Sequence, residues 1–112
     1  MINTSIGIPI EEGTLRSYFN YLVNRFFKIL PMQENKEKTL PTYIRSFQIE
    51  MLGCKNFIVG LSNNPEFLTL LAILQYLHDN PKSSVSEVKR EVFKAIAICN
   101  KLESHYVKVV RQ

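Results

Sequence analysis

Residues that carry chemistry are scarce in this chain. Among its 112 residues there is no tryptophan, and cysteine and histidine occur twice each. His78 and His105 lie far apart, and neither stands at metal-ligand spacing from Cys54 or Cys99, so a zinc site would need an accidental convergence in space. No Glu-x-x-His or paired-carboxylate spacing suggests a di-metal bundle. The glycines at 7, 13, 53 and 60 build no phosphate-cradling loop. Both cysteines fall on apolar helix seams, where a thiol behaves as a small apolar group, and a nucleophilic thiolate would need an exposed, electropositive setting. His78, beside Asp79, falls in a last helical turn, where a cation or polar cap is favoured. These absences point to a protein that is not an enzyme and takes no cofactor or metal.

Long apolar runs are also missing. The densest, Phe67–Leu77, is far below the ~20 residues that span a bilayer. Met1-Ile2-Asn3-Thr4-Ser5 has no basic residue, and no apolar core of an export signal follows. The expectation is therefore a cytoplasmic protein with reduced thiols and no membrane insertion. No internal repeat, low-complexity tract or linker divides the chain.

What is present is the composition of a globular domain: 46% apolar and 21% charged residues in 13.0 kDa. Residues 1–112 should form one domain with a core large enough to need no staple. The net charge is +4, and residues 1–81 hold seven basic and seven acidic side chains. The whole excess therefore lies in the last stretch, where Lys82, Lys89, Arg90, Lys94, Lys101, Lys108 and Arg111 face Glu87, Glu91 and Glu103.

Hydrophobic spacing predicts an all-α, single-domain four-helix bundle with helices at about 14–30, 40–60, 65–79 and 84–110. Residues 1–13 read as an extended arm, with Ile6, Ile8 and Ile10 alternating, laid on the domain's own core or paired with a partner's edge. In the first helix, with Thr14 as N-cap, Leu15, Tyr18, Phe19, Leu22, Phe26, Ile29 and Leu30 share a face, and Pro31 should end it. The second carries Leu40, Ile44, Phe47, Met51, Cys54, Ile58 and Leu61 on one seam. Asn64-Pro65-Glu66 caps the third, which is apolar nearly all round and so should be the buried central element. Ser84 and Glu87 form a capping box for the fourth, whose seam runs Val85, Val88, Val92, Ala95, Cys99, Leu102, Tyr106 and Val109.

The stretch from the third helix into the fourth admits a second reading, a helix-turn-helix-like nucleic-acid-binding protein using residues 67–101. Its contacts would be Lys89, Arg90, Lys94, Lys101 and Lys108, of which all but Lys89 form one stripe on the fourth helix. Against it, no Gly or Pro interrupts the chain near Phe93-Lys94, and the apolar seam runs straight through, as a single rod requires. A solvated face opposite the seam is the simpler account of the stripe.

Apolar residues outside the seams suggest a contact surface. Tyr21 and Phe27 flank the main face of the first helix, and Phe93 and Ile98 sit on opposite edges of the fourth helix's seam. The sequence is accordingly read as a non-catalytic protein–protein interaction module, a small adaptor, accessory or immunity-type protein. Tyr21, Phe27, Phe93 and Ile98 would be its interface residues, and another protein or a second copy in a homodimer its partner.

Overall fold

The computed structural model describes the backbone of residues 2–3, 9–10, 12–54 and 61–111, and the side chains of 13–53, 61 and 63–107. The fold is an all-α helical bundle. Its elements are α1 (Glu12–Phe27), a short α2 (Ile29–Glu34), α3 (Leu40–Cys54), a single 3-10 turn at Leu61–Asn63, α4 (Pro65–Asp79) and α5 (Val85–Arg111). Two-residue strands, β1 (Ile2–Asn3) and β2 (Pro9–Ile10), pair antiparallel, and β1 lies against α5. Ile6 and Ile8, the side chain of Ile10, and residues 55–60 of the expected second helix lie outside the described residues. So do the side chains of Cys54 and Val109.

Pro31 acts differently from the expectation. It does not end a helix at Leu30; the break comes earlier, at Lys28, and Pro31 sits in the first turn of α2. A proline has no N–H for the carbonyl four residues back, and its ring clashes with that carbonyl. The carbonyl concerned is that of Phe27, the last residue of α1. α2 closes with Lys36 in the left-handed region, φ 53°. The Lys36 amide bonds the Gln33 carbonyl at 3.1 Å and the Glu37 amide bonds the Met32 carbonyl at 3.0 Å, the paired reverse bonds of a Schellman cap. At its other end, α1 begins at Glu12, so Thr14 lies in its first turn and is not the cap.

The later caps form as the residue types dictate. The Asn64 side chain accepts from the Glu66 and Phe67 amides at 2.8 and 3.3 Å, with Pro65 at the first helical position. The Ser84 hydroxyl accepts from the Glu87 amide at 3.2 Å. From there α5 runs through Phe93 and Lys94 without interruption. At 1.5 Å per residue, 27 residues make a rod of about 40 Å, close to the 44 Å long axis of the molecule.

Cross-chain contacts give the arrangement. Arg16 meets Glu103 and Phe27 meets Phe93, so α1 and α5 are antiparallel. Tyr21 meets Glu50 and Arg25 meets Tyr43, which sets α1 antiparallel to α3. Gln48 reaches Leu71 and Arg45 reaches His78 between α3 and α4. Asn64, at the start of α4, reaches Tyr106, late in α5. α1, α3, α4 and α5 therefore fill the corners of an up-and-down bundle. Phe19, Phe26, Phe47 and Phe67 are fully buried at its centre, with Leu22, Ile29, Met51, Leu70, Leu74, Val92, Ala95 and Leu102 around them.

Two expectations about burial are corrected. A corner helix always keeps an outer face, so α4 is not the enclosed central element: Leu68, Ala72 and Tyr76 are exposed. The broadest packing belongs to α5, which lies against α1, α2 and α4. Val85, expected to open the α5 seam, is exposed at the helix start, whereas Val88 to Tyr106 of that seam are buried.

Candidate protein-interaction surface

Two aromatic rings from distant parts of the chain meet in the open. Phe27 is the last residue of α1, and Phe93 lies on the edge of α5 that faces α1. Their centroids are 6.1 Å apart with planes at 83°, an edge-to-face contact. Both remain exposed, at 42% and 45%. Val23 of α1, Leu30 of α2 and Ile96 of α5 are partly buried against the core. Val85 is also exposed, about two turns before Phe93 and roughly 80° around α5 from it. The Lys89 ammonium lies 6.0 Å from the Phe93 ring centroid.

The other two residues read as interface candidates are placed differently. Ile98 is partly buried against the core on the far edge of the α5 seam. Tyr21 belongs to a polar clasp that bridges α1 and α3. Its hydroxyl donates to Glu50 Oε1 at 2.5 Å and accepts from Arg25 Nη1 at 2.7 Å. The same Nη1 donates to Glu50 Oε2 at 2.7 Å, Arg25 Nε donates to the Tyr43 hydroxyl at 3.0 Å, and that hydroxyl donates back to the Arg25 carbonyl at 2.8 Å. The guanidinium also lies over the rings of Phe47 and Tyr43, 4.6 and 4.8 Å from their centroids. The hydrogen bond from Tyr21 holds the Glu50 carboxyl below its ordinary range, with Arg25 adding to the effect. The Tyr21 phenol is pushed up, first by its bond to Glu50 and then by burial. Burial works against the Arg25 charge, but its bonds to Tyr43, Tyr21 and Glu50 outweigh that and raise its pKa.

Sequence reasoning missed this clasp, and also a second polar contact between α3 and α4. Gln48 is buried, its Oε1 accepting from Arg45 Nη1 at 2.6 Å and its Nε2 donating to Gln75 Oε1 at 3.0 Å. Gln75 Nε2 in turn bonds both carboxylate oxygens of Asp79 at 2.9 Å. A glutamine at the edge of an apolar face was the available signal, but only the neighbouring helix supplies its partners. Ile49, Leu52 and Leu68 form further exposed apolar surface that the helical periods did not single out.

The basic residues of the alternative reading line the outer face of α5. Arg90, Lys94 and Lys101 are exposed, Lys89 leans over Phe93, and the Lys108 side chain lies outside the described residues. α4 and α5 run alongside each other over the length of α4, whereas a helix-turn-helix crosses its two helices at roughly 90–120°. Groups with chemical potential are placed structurally. Burial pushes the Cys99 thiol up to about 12, which keeps it protonated and unreactive at neutral pH. His78 Nδ1 lies 3.4 Å from Arg45 Nη2 and 3.3 Å from Asp79 Oδ1, and His105 stacks edge-on with Tyr106. Among the described residues no group of three His, Cys, Asp or Glu side chains could hold a metal, and no helix is long and apolar enough to cross a membrane.

Comparison of the chain with protein-family models, curated proteins and solved structures finds no match.

Proposed function

We propose that the chain is a non-catalytic protein-interaction module that docks its partner on the α1–α5 seam around Phe27 and Phe93. One observation carries this reading: the two rings reach the same spot from helices near opposite ends of the sequence and stay nearly half exposed there. Aromatic side chains supply much of the energy of protein–protein hot spots. The partner is another protein or a second copy of this chain. A cytoplasmic setting suits the unpaired thiol of Cys99.

Affinity capture from native lysate with the wild-type chain and with a Phe27→Asp, Phe93→Asp double variant tests the surface. Partners retained by the first and lost by the second are expected; identical captures would defeat the proposal. The exposed Arg90, Lys94 and Lys101 support nucleic-acid binding as a second reading. That reading requires duplex affinity that falls steeply as salt rises.

A further inference from the structure

Building on the reading that the Phe27–Phe93 patch is the docking surface, we infer that its occupant is an acidic segment with apolar anchors on another protein, not a second copy of this chain. Five basic residues and one acidic residue stand within four positions of either ring: Arg25, Lys28, Lys89, Arg90 and Lys94 against Glu91. Arg25 is turned toward α3 and bonded to Glu50. Glu91 lies roughly 160° around α5 from Phe93 at 100° per residue, and its side chain is largely covered. The exposed basic side chains left on these two segments are Lys28, Lys89, Arg90 and Lys94. Lys89 lies over Phe93, Arg90 and Lys94 fall roughly 60° and 100° around α5 from it, and Arg90 Nε is 3.7 Å from Glu91 Oε1.

These charges decide between occupants. In a two-fold dimer the same patch faces itself, so its basic side chains would be set against the basic side chains of the copy. Like charges set against each other across an interface select against that partner, and carboxylates in the same places turn each contact into an attraction. Nucleic acid is also negative, but stacking a base requires a free ring face. Here the rings pack edge to face at 83°, and Lys89 stands over Phe93. Two antiparallel helices run side by side along this seam, a surface along which an amphipathic segment can be laid.

Panning a phage-displayed random peptide library on the full chain tests the inference, with the selected peptides synthesised and titrated by fluorescence anisotropy. Acidic residues flanking Leu, Phe or Trp are expected in the selected sequences. Their binding should weaken about tenfold or more with Phe93→Ala. It should weaken comparably with the Lys89→Glu, Arg90→Glu pair, and several-fold between about 50 and about 500 mM NaCl. Neutral or basic peptides that still depend on Phe93 would overturn the acidic partner while leaving the docking surface standing. Peptides indifferent to Phe27→Ala and Phe93→Ala, or no selected peptides at all, would remove both. A dimer in sedimentation velocity that Phe93→Ala dissolves would give the patch to a second copy. Displacement of the peptides by single-stranded or duplex oligonucleotide would give it to nucleic acid. Circular dichroism melts of each variant separate lost binding from lost folding, and the two exposed charge reversals leave the core untouched.

Discussion

Tyr21 and Phe27 stand on the same helix and are almost equally exposed, yet they do different work. Tyr21 is held by Glu50 and Arg25 and helps tie α1 to α3. Phe27 has Phe93 as its ring contact among the described residues and makes no polar bond, and 42% of its surface stays open. Fractional exposure does not separate an aromatic engaged in the fold from one free to engage a partner. The polar bonds of the first and the apolar openness of the second do.

The contrast is sharpest between neighbours. Phe26 is fully buried, its ring 4.9 Å from Phe47. Phe26→Ala should cost about 3–5 kcal/mol in urea unfolding, because a large cavity opens between α1 and α3. Arg25→Ala removes the hub of the clasp and the covering of Phe47. A loss of about 1–3 kcal/mol by the same measurement is expected, and a loss below that range would mean that Tyr21 is as free as Phe27. Glu50→Gln should cost only about 0.5 kcal/mol at neutral pH, since this carboxylate is well exposed and screened. The folded-state pKa of Glu50 is lowered from 4.5, so its contribution is present above that value and lost as pH falls through the lowered one. The gap between wild type and Glu50→Gln in urea midpoints should therefore close in acid. Phe27→Ala should change stability least, within about 0.5 kcal/mol. A loss above 1 kcal/mol would place Phe27 among the residues that hold the fold.

Much of the helical layout was legible because it rests on local chemistry. Asn64-Pro65-Glu66 and Ser84 with Glu87 mark helix starts through bonds made within a few residues. The α5 seam repeats often enough to declare one unbroken rod. Pro31 was misread because a proline can end one helix or open the next, and the choice depends on where the following turn packs. Helical periodicity placed Phe27 and Phe93 at the edges of their faces, but it says nothing of which helix lies alongside, so their meeting was not legible. The same gap hid the clasp: Arg25 and Glu50 each look like surface charges until α1 and α3 are set side by side. Val85 was misplaced because a heptad seam can begin a turn before its helix reaches a neighbour.

The antiparallel pairing of α1 with α5 has a consequence for timing. Synthesis proceeds from the N-terminus, so Phe27 leaves the ribosome long before the helix that completes its surroundings. The second ring and the basic side chains near it come into being only when α5 folds back on α1. A partner that recognises this surface thus reads α1 and α5 together and ignores chains in which α5 has yet to fold.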